Sequence, residues 1–66
     1  MTPGETIDAT GTLVRDGGGF ALQRDGGGLI RLDLHRLPVD SVEKRVRVVG
    51  VVLADGHVEA DGVSAA

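Results

Sequence analysis

The 66-residue chain contains no cysteine, no tryptophan and no tyrosine, and Phe20 is its only aromatic residue. The lack of cysteine excludes disulfide bonds and thiolate chemistry. With so few aromatic residues, the hydrophobic core has to be built from valine, leucine, isoleucine and alanine. A domain of this size buries only about 60 % of the surface that its unfolded chain exposes, so we expect a thin stability margin. Self-association is therefore a plausible additional source of stability.

Basic clusters, long apolar runs and metal-ligand motifs are also lacking. Seven Lys and Arg residues against ten Asp and Glu residues give a net charge of -3, which argues against polyanion binding as the main activity. The first residues carry neither a basic cluster nor an apolar run, so we expect no secretory signal, and no stretch of this sequence approaches the roughly 20 apolar residues that span a bilayer. His35 and His57 would need carboxylates to complete a zinc site, an unfavourable ligand set. We predict a soluble cytoplasmic protein without membrane contact, cofactor or metal.

What the sequence does contain is a repeated turn motif. RDGGGF at residues 15–20 recurs as RDGGGL at residues 24–29, and each copy lies between alternating apolar residues. Asp-Gly pairs in this setting predict tight turns and hence a three-stranded antiparallel meander. The glycine runs lead into strands without the Gly-Lys-Ser/Thr of a phosphate loop, and one aspartate per loop is too few for calcium. We interpret both copies as turns.

Alternation of apolar and polar residues predicts five strands. The first three surround the repeated turns, and the last two, Val46 to Leu53 and His57 to Asp61, flank the turn at Asp55-Gly56. Between the third and fourth strands the alternation stops. Pro38 and the helix-capping residues Asp40 and Ser41 predict one or two helical turns there, with Leu37 and Val42 facing inward.

This order predicts an all-β domain, a small five-stranded OB-like (Greek-key) barrel with a short helical connector between strands 3 and 4. An SH3-like barrel is the alternative, because it has a similar number of strands but usually no helical element at this place. The predicted organisation is an N-terminal lead-in over residues 1–5, the barrel over residues 6–63 and a tail over residues 64–66.

Three segments carry a family resemblance. They are TGTLVRDGG at residues 10–18, the turn at residues 25–28 with IRLD at residues 30–33, and VRVVG at residues 46–50. On these segments the chain resembles a small bacterial protein family of unknown function with a predicted OB-like fold. The resemblance extends over residues 10–63, implies the same fold and supplies no catalytic residue.

Catalytic residues are not indicated by the sequence itself either. Ser41 and Ser64 lack the Gly-x-Ser-x-Gly context of an activated nucleophile. His57 lies near Asp55 and Glu59, and we interpret it as a solvated hairpin histidine rather than an oriented base. We predict a non-enzymatic OB-like binding or interaction module, either self-associating or bound to another protein.

Two surfaces are candidates for binding. In the fourth strand, one row of apolar residues faces away from the predicted core and forms a candidate protein interface: Val49, Val51 and Leu53. The alternative is weak binding of single-stranded nucleic acid or another anionic ligand on strands two and three and the adjoining loops, through Arg15, Gln23, Arg24, Arg31 and His57. Nucleic acid is disfavoured, though still open, because base stacking needs exposed aromatic residues and Phe20 is assigned to the core.

Overall fold

The structure is a computed structural model that describes residues 1–35 and 39–66. Within those ranges the chain is all-β, with five strands in one sheet. The strands are β1 (Thr6–Asp16), β2 (Gly19–Arg24), β3 (Leu29–Leu34), β4 (Arg45–Ala54) and β5 (His57–Ala65). The prediction of five strands, beginning with a three-stranded meander, is confirmed.

The strand order is β1-β2-β3-β5-β4, and β4 pairs with β1 so that the sheet closes on itself. All neighbouring strands are antiparallel except β3 and β5, which run parallel. Strand β1 makes the closure possible because its first half pairs with β4 and its second half with β2. Gly11 and Thr12 pair with both partners, so the change of partner occurs at these two residues.

Alternate residues of every strand enter one apolar core. Its least accessible large side chains are Leu13, Leu22, Val46, Val48, Val52 and Val58. Phe20 is 6 % exposed and belongs to the same core, as the alternation predicts. The core contains no buried polar or charged side chain among the described residues. Specificity of the fold therefore depends on strand pairing and shape rather than on a buried polar network.

Two glycines allow strands to approach more closely than any other residue would permit. A Cβ at Gly11 would overlap the carbonyl oxygen of Gln23 in β2, and a Cβ at Gly50 would overlap that of Glu59 in β5. Both clashes would involve backbone atoms, which cannot move without displacing a strand. Glycine inside a strand commonly marks such a close approach of two backbones.

The predicted helical connector between β3 and β4 is wrong. The described part of this segment contains a single 3-10 turn, Val39–Ser41, and Glu43 then adopts a positive φ of 67°. The backbone of the segment instead pairs with β1: the Glu43 amide donates to the Leu13 carbonyl at 2.7 Å, and the Leu13 amide donates to Lys44 at 3.0 Å. Because one helical turn is marginal by itself, these sheet-like bonds prevail over the capping residues.

One predicted core contact of the connector is present, and the last strand is longer than predicted. Val42 packs against the core as expected, whereas Leu37 lies outside the described residues. Strand β5 extends to Ala65, two residues beyond the predicted barrel boundary at Val63. This extension is paired, since Ser64 and Ala65 lie opposite Arg47 and Val46 of β4.

Candidate functional site

The outer face of β4 carries a row of apolar side chains, which we call the β4 row: Val49, Val51 and Leu53. Alternation places these residues opposite the buried valines of the same strand. Val49 and Leu53 are each 42 % exposed, and Val51 between them is half-buried. The structure therefore places the row predicted from the sequence on the surface.

Charged residues lie at both ends of the β4 row. Arg45 and Arg47 precede it, and Asp55 follows it in the turn to β5. The Asp55 side chain is 90 % exposed while its carboxylate lies 3.3 Å from the N-terminal amine. The outer face of β4 thus has a basic end, an apolar middle and an acidic end.

Arg47 is held beside the β4 row by Asp8 of β1. Its Nε donates to Asp8 Oδ1 at 2.8 Å, and its terminal NH2 group donates to the second carboxylate oxygen. These hydrogen bonds, aided by charge attraction, hold the pKa of Asp8 below its ordinary value of 3.8 and raise that of Arg47. Both side chains remain about half exposed, so the pair is a solvated surface contact.

The predicted anion-binding residues do not form one patch. Arg15 pairs with Phe20 at one end of β2, whereas Arg24 is the last residue at its other end. Arg24 is four positions after Phe20, which corresponds to about 13 Å of strand at the usual rise per residue. Consecutive turns of an antiparallel meander lie at opposite ends of the strands, which is why the repeated motif separates the two arginines.

Arg15 and Arg24 lie on the side of their strands that faces the core further along, although both are exposed at the strand ends. The other predicted ligands lie on the outer face of the sheet. The Arg15 guanidinium lies 5.4 Å from the centre of the Phe20 ring, over the buried aromatic side chain. Arg31 and His57 are directly paired across β3 and β5. Gln23 lies on the neighbouring strand, and its side-chain amide donates to the carbonyl of Gly28 at 3.3 Å.

Aspartates neutralise several of the exposed arginines. Arg31 Nε lies 3.5 Å from Asp16 Oδ2, so Asp16 partly neutralises the charge of this predicted ligand. Asp25, in the turn after β2, lies 2.7 Å from Arg45 of β4. Among the described residues, the arginine on the outer face of β3 is thus partly balanced by Asp16, and Asp25 is engaged by β4.

A cluster formed by β5 and the residue that follows β3 was not predicted from the sequence. His35, Glu59 and Asp61 each present one metal-ligating atom, and these atoms lie within 4.8 Å of one another. Asp33 pairs with Glu59 and lies on the same outer face. The alternating Asp-x-His at residues 33–35 and Glu-x-Asp at residues 59–61 are the signal in the sequence. They become meaningful only when β3 and β5 are known to be neighbours.

Comparison with known protein families identifies a match over most of the chain. The family described as "Protein of unknown function (DUF5818)" matches residues 10–66. The chain belongs to this family. The predicted resemblance to a family of unknown function is thereby confirmed, whereas its bacterial origin and OB-like fold stay predictions. No curated protein and no solved structure matches the chain.

The match supplies no activity. No helix in the ranges that the structure describes is both long and apolar enough to cross a membrane.

Proposed function

We propose that this domain is a non-enzymatic, OB-like interaction module that self-associates through the β4 row. The observation that carries the proposal is the exposure of Val49 and Leu53, each 42 %, on one outer face of a central strand. Exposed apolar rows of this kind are typical of interaction sites when several large side chains are contiguous.

The OB-like part of the proposal is supported by the strand order. A three-stranded meander followed by a hairpin that returns between β3 and β1 gives the closed order β1-β2-β3-β5-β4. This arrangement agrees with a five-stranded Greek-key barrel. A 3-10 turn, Val39–Ser41, lies where the sequence predicts the short helical connector.

A second copy of the chain is the partner that the geometry of the β4 row fits. If two β4 strands pack face to face in opposite directions around a two-fold axis near Val51, each apolar row covers the other. The same arrangement brings the Arg47–Asp8 pair of each copy toward Asp55 of the other, which is itself paired with the N-terminal amine, so no like charges meet along the row. The interface is then self-complementary, as a two-fold dimer requires.

The interface has to extend beyond the β4 row. A standard stable interface buries about 800 Å² per partner, which is roughly a fifth of this chain's 4066 Å² of accessible surface. The three apolar side chains would form its centre, and the adjacent outer faces of β1 and β5 would form its polar rim. A modest affinity, detectable at high micromolar protein concentration, is the expected result.

The alternative function, anionic-ligand binding, has weaker support. Arg15 and Arg24 are separated by the fold, Arg31 is screened by Asp16, and Phe20 is too buried to stack with a base. A fluorescently labelled single-stranded oligonucleotide at low ionic strength tests this alternative directly. Binding that disappears in the double variant Arg24→Ala/Arg31→Ala would favour it over the interaction module.

Sedimentation equilibrium on Leu53→Glu and Leu29→Glu tests self-association. Leu29 is a matched control, since it is 48 % exposed on the outer face of β3 and receives the same substitution. We expect wild type and Leu29→Glu to dimerise and Leu53→Glu to remain monomeric. A wild-type mass of one chain at high micromolar concentration would contradict the proposal, as would loss of the dimer in Leu29→Glu alone.

A further inference from the structure

The parallel pairing of β3 and β5 brings together two short sequence patterns, Asp-x-His at residues 33–35 and Glu-x-Asp at residues 59–61. Asp33 pairs with Glu59 and Leu34 with Ala60, so the register offset is 26 residues. The same offset places His35, which follows β3, beside Asp61. Because alternate residues share a face, one imidazole and three carboxylates gather on the outer side of the sheet.

Asp61 lies at a β-bulge of β5. Gly50 of β4 pairs with Ala60 and Val49 pairs with Gly62, so Asp61 is the extra residue without a β4 partner. A bulge of this kind changes the direction of a side chain and interrupts regular pairing. Gly50 makes the local geometry possible, because its missing side chain leaves space for the Glu59 carbonyl.

The charges of this group are not balanced by the described part of the chain. Asp8, Asp16, Asp25 and Asp55 each lie within ion-pair distance of a cationic group. No ion pair to Asp33, Glu59 or Asp61 occurs within residues 1–35 and 39–66. Three neighbouring carboxylates repel one another, and a bound cation would remove that repulsion.

We propose that His35, Glu59 and Asp61 bind a divalent transition-metal ion, with zinc as the test ion. Their three ligand atoms already lie within 4.8 Å of one another. Tetrahedral zinc with bonds of about 2.1 Å needs a ligand separation of roughly 3.4 Å. Small side-chain rotations close this difference, and His35 and Asp61 are exposed and have room to make them.

The donor set determines the class of metal. Imidazole nitrogen favours zinc and its first-row neighbours, whereas calcium and magnesium prefer sites made of oxygen ligands alone. Three protein ligands leave a coordination position for water. Asp33 pairs with Glu59 in the sheet but is not among the residues whose ligand atoms converge.

Titration calorimetry with zinc chloride on tag-free protein tests the proposal, with His57→Ala as the matched histidine control. His57 begins β5 and lies outside the three-residue cluster. We expect one zinc per chain, and a loss of affinity of at least about tenfold in His35→Ala and Glu59→Gln. We expect unchanged affinity in His57→Ala, with circular dichroism confirming that every variant is folded.

Paramagnetic broadening by manganese gives an independent location for the site. We expect the amide resonances of residues 33–35 and 59–61 to broaden first. Wild-type protein that takes up no zinc at high micromolar concentration would overturn the proposal. Zinc affinity retained in His35→Ala, or broadening centred elsewhere, would overturn it as well.

Discussion

Replacing Gly11 with alanine tests the closure of the sheet at the point where β1 changes partners. Gly11 pairs with Arg24 of β2 and Val46 of β4. An added Cβ would overlap the Gln23 carbonyl oxygen and approach the Arg24 Cα to 2.9 Å. Both contacts involve backbone atoms, so relief requires β1 and β2 to move apart rather than a side chain to rotate.

The expected loss of stability follows from two opposing effects. Overpacking typically costs about 1–3 kcal/mol, while alanine restricts the unfolded chain and returns roughly 0.4–1 kcal/mol. The net cost is about 1–2 kcal/mol, against a total of roughly 3–10 kcal/mol for a chain of this length. At about 4–8 °C per kcal/mol for a small domain, the Tm of Gly11→Ala should fall by roughly 4–16 °C.

Thermal unfolding followed by far-UV circular dichroism measures this change, and Gly62→Ala is the matched control. Gly62 also lies in a strand, but a Cβ there meets no atom within 4 Å and its backbone φ is not in the positive region. We expect Gly62→Ala to melt at or above the wild-type temperature. Equal Tm values for Gly11→Ala and wild type, or an equal loss in Gly62→Ala, would refute the steric argument.

Two further predictions concern a surface ion pair and a strained residue. Hydrogen bonds from Arg47 depress the folded-state pKa of Asp8, so the pair's stabilisation is present above the ordinary carboxyl range and is lost as pH falls through the folded value. Urea unfolding should therefore lose stability more steeply in acid for wild type than for Asp8→Asn, and parallel curves would contradict this. Glu43 has a φ of 67°, a conformation that costs a non-glycine residue about 1–2 kcal/mol. Glycine removes this strain but makes the unfolded chain more flexible, at a cost of roughly 0.4–1 kcal/mol, which leaves a net gain of about 1 kcal/mol. Glu43→Gly should therefore raise Tm by about 4–8 °C, whereas the same change at Glu5, which has no positive φ, should not.

The strands and turns could be predicted because their signals are local. Period-two alternation identifies the inward residues of each strand, such as Leu13 and Val58, without knowledge of their partners. The Asp-Gly turn at Asp55 is equally local, since the positive φ of 75° at Gly56 is a requirement of the turn itself. A single sequence is sufficient for features of this kind.

The connector and the arginine patch could not be predicted because they depend on distant parts of the chain. Asp40 and Ser41 are good helix caps, but the bonds from Glu43 and Lys44 to Leu13 exist only once β1 lies beside them. Arg15 and Arg24 are each followed by Asp-Gly-Gly-Gly, yet a meander places them at opposite ends of the strands.

The proposed metal cluster could not be predicted for the same reason, because it also depends on distant parts of the chain. It requires the parallel pairing of β3 with β5, which joins residues that are 26 positions apart in the chain. Pairing of distant strands leaves no trace in the local alternation of either strand, so the pattern around His35 and the pattern around Glu59 look unrelated in the sequence.

The two proposed surfaces meet at one pair of residues, and this predicts that metal binding and self-association are coupled. Glu59 of the metal cluster lies directly across from Val51, the centre of the β4 row. In a two-fold dimer around Val51, the Glu59 carboxylates of both copies flank the same interface and repel each other. Zinc bound at Glu59 neutralises this charge, so it should strengthen self-association, and dimerisation must then strengthen zinc binding by the same factor.

Sedimentation with and without zinc measures the effect. Glu59→Gln should associate more tightly than metal-free wild type and show no response to zinc, whereas identical wild-type association in both conditions would contradict the coupling.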